Sequence, residues 1–476
     1  MHQPTRRQLL QSLALGGLAL PAGAATKPNF LFLFTDDQRF NTLNALGNPE
    51  VHTPNMDRLV RRGVAFTHSC IMGGTVGAVC MPSRAMLMTG QTLFQVHDNL
   101  IAPAAAPPSA RIPNSTFPEL LRKAGYDTFG TGKWHNGPAL YARSFSHGGP
   151  IFFGGMSNHD KVPLNDFDPT GIYAKANIHI GKGFSSEIFS NSAIRFLKER
   201  KKEKPFLTYV AYTAPHDPRM APPRFAAMYS PDKVTLPSNF LPQHPFDNGE
   251  LRVRDEMLAP FPRTPEVVRT HIAAYYAMIS EVDFEIGRVL DTLEQTGEAD
   301  NTYIIFAADN GLAVGQHGLM GKQNLYDHSI RVPLIISGPG IPQGRTSDSL
   351  CYLMDVGPTI LDLAGIKSPS PATGLSLRPV LRDQKAKLRN EVIFAYRHFQ
   401  RGIRTDRWKL IEYNVKGRKT TQLFDLAKDP AERNNLAARP VHTNKVRSLH
   451  ALLQKRMTEY GDRTQLDSDT WPVFGK

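Results

Sequence analysis

The 476-residue chain is 41% apolar and 21% charged, with 37 glycines and 37 prolines, proportions that exclude a fibre and a disordered tail. Its formal charge of +13 favours an anionic partner, but charge alone does not choose among nucleic acid, membrane surface, acidic polysaccharide and small oxyanion. Three cysteines, Cys70, Cys80 and Cys351, are too few for a disulfide scaffold and are not spaced as zinc ligands.

Residues 1–24 read as a cleavable signal peptide. Arg6 and Arg7 precede a mostly apolar run from Leu9 to Leu20, and Pro21, Ala22, Gly23 and Ala24 follow. The mature chain then begins near Ala25 and is expected to be periplasmic or secreted. The paired arginines also fit a twin-arginine export signal. An apolar run of about a dozen residues is short for a bilayer, so no stable membrane insertion is expected after cleavage.

Beyond the leader, short apolar runs alternate with helical segments. This is the pattern of an α/β fold with a large mixed, mostly parallel sheet flanked by helices. Phe30 to Phe34 is followed by Asp36 and Asp37. Tyr126 to Gly130 leads to Lys133 and His135. Phe206 to Tyr212 ends in Thr213, Ala214, Pro215 and His216, and Tyr303 to Ala308 runs into Asp309 and Asn310. In an open α/β sheet the ligand crevice lies outside the carboxyl ends of the strands, so these four sets of polar groups are expected to converge there. Pro265 to Gln295 carries Tyr275, Met278, Ile279, Val282, Ile286, Val289, Leu290 and Leu293 at helical spacing, a long amphipathic helix packed on the sheet. The irregular stretches 143–183 and 218–265 are candidate binding loops. After about Asn390 short strand-like runs appear at Val392 to Tyr396, Trp408 to Tyr413 and Gln422 to Leu426, with a charged helix near the end. The division expected is an α/β catalytic domain over 25–385 and a smaller α+β subdomain over 386–476, which would pack against the larger one and shape one wall of the cleft.

Asp36, Asp37, Asp309 and Asn310 are hard oxygen donors, suited to Ca²⁺ or Mg²⁺ and ill suited to a sulfur-loving metal. Such pairs also cap helices and turns, but their joint placement at strand ends favours a cation. Arg84, Lys133 and Lys322 with His135 and His216 could neutralise a tetrahedral anion and protonate its leaving group. Cys80-Met81-Pro82-Ser83-Arg84, followed by Met88-Thr89-Gly90, places a proline where a first helical turn tolerates it, with Cys80 at the helix's positive end. Read alone, that cysteine is either a reactive thiol or a small buried residue.

The Cys80-x-Pro82-Ser83-Arg84 run with Thr89-Gly90 resembles the signature of the type I sulfatases, members of the alkaline phosphatase superfamily. The resemblance continues in order through Asp36-Asp37, Gly132-Lys133-Trp134-His135, Ala214-Pro215-His216, Asp309-Asn310-Gly311, Gly321-Lys322 and the stretch from Leu423-Phe424-Asp425-Leu426 to Asp429-Pro430. It implies an alkaline-phosphatase-like fold, one bound Ca²⁺ in most members, and oxidation of Cys80 to formylglycine by a formylglycine-generating or sulfatase-maturating enzyme. By the same likeness Asp36, Asp37, Asp309, Asn310 and the hydrated aldehyde at 80 hold the metal, while Arg84 and Lys133 hold the diol. One hydroxyl attacks sulfur, His216 and Lys322 bind sulfate and protonate the leaving alkoxide, and the second hydroxyl expels sulfate from a covalent sulfate hemiacetal with His135 as base. Lys133, His216 and Lys322 are thus the substrate-binding set. Many relatives add a serine from the loop after the Gly-Lys-x-His motif, for which Ser144, Ser146 and Ser157 are candidates. Arg39, His97, His159, Asp217 and Arg219 are candidate substrate readers.

The expected substrate is an O-sulfated carbohydrate or small molecule, with no nucleic-acid partner. Two other readings compete. A phosphatase or phosphonate hydrolase of the same superfamily shares the oxyanion and the metal, although two-metal phosphatases need more metal-binding histidines than this chain offers. A non-catalytic binder of sulfated polysaccharide would keep Cys80 as a thiol.

Overall fold

The computed structural model describes residues 27–97, 115–367 and 373–474; the leader assigned to 1–24 lies outside them. The strands of the large sheet are, in chain order, β1 (Asn29–Thr35), β2 (Gly63–Phe66), β3 (Asp127–Lys133), β4 (His147–Phe152), β5 (Phe206–Ala211), β6 (Thr302–Ala308), β7 (Leu334–Ser337) and β8 (Arg345–Ser347). They lie side by side in the order β8-β2-β7-β6-β1-β5-β3-β4. Only β7 runs against the others, pairing antiparallel with β6 and β2. The five strands from β6 to β4 are parallel throughout, and β1 lies between β6 and the central β5.

Alternation along β1 builds two cores. Phe30, Phe32 and Phe34 point to one face, where they join Met86 and Leu87 of α2 (Cys80–Thr89), Phe117 and Leu121 of α3 (Phe117–Lys123) and Ile360 of α6 (Val356–Leu363). Leu31 and Leu33 point to the other face. There they meet Met56 and Leu59 of α1 (Pro54–Arg62), Phe189 and Leu197 of α4 (Ser185–Glu199), and the long helix α5 (Pro265–Gln295). Helix α5 has the bounds its periodicity predicts, and Tyr275, Met278, Ile279, Val282, Ile286, Val289, Leu290 and Leu293 are all buried. Its start is fixed by Thr264, whose side chain accepts from the Val267 N–H, and by Pro265 at the first position.

The C-terminal region forms an antiparallel sheet of β9 (Glu391–Tyr396), β10 (Gln400–Thr405), β11 (Trp408–Val415) and β12 (Arg418–Asp425), covered by α7 (Thr443–Tyr460). Gly73–Gly74 adds a short parallel partner to β9, so the segment just before α2 is stitched to this second sheet. A Cβ on Gly73 would lie 2.1 Å from the Ala395 carbonyl oxygen, which is why the close approach needs glycine there. Ile393, Ile403, Leu410 and Leu453 belong to the same apolar cluster as Phe32 and Leu87. No helix among the described residues is long and apolar enough to cross a membrane.

Candidate active site

The register Thr35↔Ala308 sets the ends of β1 and β6 level, so Asp36-Asp37 and Asp309-Asn310 emerge side by side. Backbone bonds lock them together: Asp309 N donates to Thr35 O (3.1 Å), Asp36 N to Ala214 O (3.1 Å) and Asp37 N to Asp309 Oδ1 (3.0 Å). The Asp36 bond to Ala214 also ties in the end of β5, whose continuation carries His216. Asp37 and His135 both have left-handed backbone (φ 60° and 64°), a conformation that costs energy and is held only by the surrounding bonds. Lys133 is the last residue of β3 itself, not part of the loop beyond it as the apolar run suggests. The register of β3 shifts between Gly130 and Gly132, which aims Lys133 at Asp36. Cys80 opens α2, buried beneath the same rim.

Three carboxylates here meet three cations, all of them buried. Lys133 Nζ donates to Asp36 and to Gly155 O (2.6 Å). Lys322 Nζ donates to both Asp37 oxygens (2.7 and 2.9 Å) and lies 3.0 Å from Cys80 Sγ. Arg84 Nε donates to Asp309 Oδ2 (2.8 Å), and its Nη1 to Lys133 O (2.7 Å). The cysteine therefore faces Lys322, Asp36 (3.4 Å) and Asp37 (3.7 Å), while Arg84 braces the carboxylates from behind. Burial and the Asp36 charge push the Cys80 thiol well above its ordinary range, so it is a protonated thiol and a poor nucleophile as it stands. Burial also raises Asp36, but Lys133 and His216 outweigh it and hold this carboxyl below its usual value. Burial and Asp36 together raise Asp309. Burial lowers Lys322, yet the Asp37 carboxylate overrides it and keeps the ammonium charged.

The set fits a hard divalent cation. One ligand atom each from Asp36, Asp37, Cys80 and His216 can be chosen so that all lie within 4.8 Å of one another. Asn310 donates from Nδ2 to Asp37 Oδ1 (2.6 Å) and leaves a buried Oδ1 with no partner, an oxygen donor that a cation would satisfy. In this arrangement both Asp309 oxygens are already engaged, one by Arg84 and one by the Asp37 N–H.

A cleft of about 320 Å³ opens above Cys80, with His135, His216, Lys322 and Gly155 on its walls. His216 Nδ1 bonds Asp217 O (2.7 Å), which turns Nε2 toward Asp37 Oδ2 (3.6 Å). Burial, then Lys133 and Arg84, push His135 down to about 2, so it stands as a neutral imidazole whose Nδ1 has no partner. Met156, Val253, Arg254, Asp255 and Gln323 also line the cleft. They come from the irregular loops or, for Gln323, from the position after Lys322, and no motif marks them. Among the described residues the C-terminal region contributes none to this lining; Gln400 Nε2 reaches the back of the wall, at Gln323 O (3.2 Å).

The candidate readers lie elsewhere. His159 is buried behind the rim, bonding His216 O (2.8 Å) and Thr213. Asp217 is paired with Arg254, and Arg219 donates to His271 Nδ1 (2.8 Å). His97 bonds Thr75 and packs on Phe474, and Arg39 lies over the Tyr275 ring. Ser144 donates to Leu140 O and Ser146 pairs with Thr128, both inside the fold, while Ser157 is exposed and bonds its neighbour's carbonyl. None of the three serines lines the cleft.

The family model described as Sulfatase matches residues 28–366, and that described as "N-sulphoglucosamine sulphohydrolase, C-terminal" matches 315–459. The chain is 29% identical to an N-acetylglucosamine-6-O-sulfatase of Bacteroides thetaiotaomicron, over 97% of this chain and 92% of that protein. It is 32% identical to a choline-sulfatase of Rhizobium meliloti, over 87% and 83% respectively. A solved structure of BT4656 in complex with its substrate D-glucosamine-2-N,6-O-disulfate superposes with a TM-score of 0.77 at 28% identity, covering 93% of this chain and 99% of that one. With the Sulfatase model matching 28–366, a span that includes both strand-end carboxylate pairs, Cys80 and Lys322, the chain belongs to the sulfatase family and is a sulfuric ester hydrolase.

Proposed function

We propose that the protein removes sulfate from an O-sulfated carbohydrate, with a hexosamine 6-sulfate as the first candidate, after Cys80 has been converted to formylglycine and one Ca²⁺ has bound. The observation that carries the reading is Cys80 at the floor of the cleft, a protonated thiol against Lys322, Asp36 and Asp37. That position suits a nucleophile far better than a thiol does. Hydrated formylglycine supplies two hydroxyls, one to attack sulfur and one whose later deprotonation expels sulfate. A Ca²⁺ bound there would supply positive charge that lowers the pKa of the hydroxyl at residue 80 and favours an anionic ester. Asp36, Asp37, Asp309 and Asn310 would hold it.

The chain's own groups do the rest. Three carboxylates balanced by three ammonium and guanidinium groups make a neutral floor, so a divalent ion leaves an excess of two charges. A bound sulfate ester partly cancels this excess and the sulfate dianion cancels it fully, which stabilises the charge as it develops. Lys322, already beside residue 80, is placed to hold a sulfate oxygen. His216 Nε2 faces the cleft and can protonate the leaving alkoxide, for which a sugar hydroxyl needs help. His135, on the cleft wall with an unpartnered Nδ1, is the group the family likeness offers to take the proton from the second hydroxyl. That role needs the arriving sulfate dianion to offset the Lys133 and Arg84 charges that depress its basicity. Arg84 keeps Asp309 and the end of β3 in place.

The carbohydrate assignment is supported by the relatives that act on aminosugar sulfates, and the leader sequence supports export to the periplasm or medium. The test is kcat/KM of the matured, Ca²⁺-loaded enzyme on N-acetylglucosamine 6-sulfate, choline sulfate and the matching phosphate ester. The reading requires the sugar sulfate to be turned over fastest. Preference for choline sulfate overturns the carbohydrate assignment, and preference for the phosphate ester overturns sulfatase specificity.

A further inference from the structure

A cavity of about 260 Å³, lined by Arg39, Phe40 and Asn41 just after the Asp36-Asp37 pair, shares no lining residue with the Cys80 cleft and is not used by the reaction. It has room for several waters at about 30 Å³ each, and its mouth is formed by the exposed residues Asn41, Thr235 and Ser238. Arg39 and His328 line it and are 3% and 6% exposed. Arg39 Nε and Nη1 have no hydrogen-bond partner, and neither has either ring nitrogen of His328. Four unsatisfied polar atoms on two side chains of one cavity are a cost that a ligand would relieve.

The charge around the cavity shows what kind of ligand. Asp327 and Glu432 also line it, but both are already engaged: Asp327 by Arg331 (2.9 Å), Arg404 and Lys409 (3.0 Å), and Glu432 by Lys409 (2.6 Å) and the Asp327 N–H (2.8 Å). Two carboxylates thus face three cations before Arg39 is counted, and Arg39, with no carboxylate of its own, adds a fourth. Burial holds His328 neutral, so it offers one N–H beside the guanidinium and adds no charge. A buried surplus of positive charge with open donors calls for an anion.

We propose that this cavity is a second anion site, which takes a tetrahedral oxyanion such as sulfate between Arg39 and His328, either as the free ion or as a sulfate group carried on a saccharide. The inference does not rest on the formylglycine chemistry. It does bear on the centre, because Arg39 N donates to Tyr275 Oη (3.0 Å) and Tyr275 Oη donates to Asp37 O (2.7 Å), so occupancy acts on the backbone that carries a candidate metal ligand.

The test titrates sodium sulfate calorimetrically into the metal-loaded wild type and into Arg39→Met and His328→Phe, the second of which keeps the ring that stacks on Tyr326. Two equivalents are expected in the wild type, one at the catalytic cleft and one weakened at least tenfold by either substitution. Arg39→Lys should restore part of the loss. Selenate-soaked wild-type crystals should show a selenium anomalous peak within hydrogen-bond reach of Arg39 and His328, which decides the matter if a variant fails to fold. Should the peak be absent with selenate, a sulfated disaccharide seated there by its sulfate assigns the site to the saccharide. A single sulfate equivalent with neither ligand in the cavity overturns the proposal, as do two equivalents that ignore both substitutions.

Discussion

Replacing Lys322 by methionine tests how the charges of the centre are balanced. Lys322 Nζ is the ammonium on Asp37, with bonds of 2.7 and 2.9 Å, and both side chains are almost fully buried, at 4% and 2% exposure. Methionine keeps most of the volume and removes the charge, leaving the Asp37 carboxylate with the Asn310 amide at 2.6 Å, His216 at 3.6 Å and the Cys80 thiol at 3.7 Å, and no ion-paired lysine or arginine among the described residues. Breaking a buried pair by removing one partner costs about 3–5 kcal/mol, because the remaining charge stays uncompensated. A divalent ion bound by Asp37 compensates it again. The expected result is therefore conditional: urea unfolding in EDTA shows the variant destabilised by about 3–5 kcal/mol, and saturating Ca²⁺ recovers most of that. Turnover of a sulfate ester should remain at least ~100-fold low even with Ca²⁺, since the group beside residue 80 is gone. Equal destabilisation with and without Ca²⁺ would refute the assignment of Asp37 to the metal, and unchanged turnover would refute the role given to Lys322.

Other perturbations separate the remaining parts of the account. A Cβ on Gly132 would sit 1.9 Å from Ala211 O at a φ of +94°, so Gly132→Ala must part β3 from β5 and displace Lys133. The left-handed backbone alone costs about 1–2 kcal/mol, and thermal unfolding and turnover should both fall; wild-type values would show that the bulge does not aim the lysine. Burial pushes Glu281 up to about 8 and leaves its Oε2 unpartnered. The folded state then keeps a proton that the unfolded chain has released above its ordinary value of 4.5, so stability falls as pH rises from there to about 8. Glu281→Gln should flatten that slope by a few kcal/mol, read from urea unfolding at about pH 5 and about pH 9; parallel curves for the two proteins would contradict it. Burial depresses His68 and His317 to about 3 each. The unfolded chain takes up protons below 6.5 that the folded one refuses, so stability is lost as pH falls from 6.5 toward about 3. His317→Asn should lessen that acid sensitivity, and an unaltered acid limb of the stability curve would exclude His317 as a contributor.

The parts of the fold that announce themselves in the sequence are those where burial follows the period of the element. β1 alternates Phe and Leu between two cores, and α5 carries its apolar residues at helical spacing, so both stand out. β10 does not. Gln400, Arg401 and Arg404 are buried along it by partners far away in sequence, Arg401 on Asp462 and Arg404 on Asp327, so the strand shows no apolar alternation. The candidate site divides in the same way. Residues fixed by strand ends, Asp36, Asp37, Asp309 and Asn310, could be placed from topology, because parallel neighbours end level. Arg254, Asp255 and Met156 could not, since loops bring them to the cleft and nothing local signals where a loop will fold back. Neither could the division of labour among the cations. All three were expected near the anion, yet Arg84 turns away to Asp309 and the Lys133 carbonyl, and Lys322 touches Cys80.

The central claim concerns the chemical state of residue 80, and mass spectrometry of the peptide that carries it is the direct measurement. Protein made in a host with the maturating enzyme should carry an aldehyde there, and the aldehyde fraction across preparations should track sulfate release in proportion. Full turnover from a preparation in which Cys80 is entirely thiol would contradict the account.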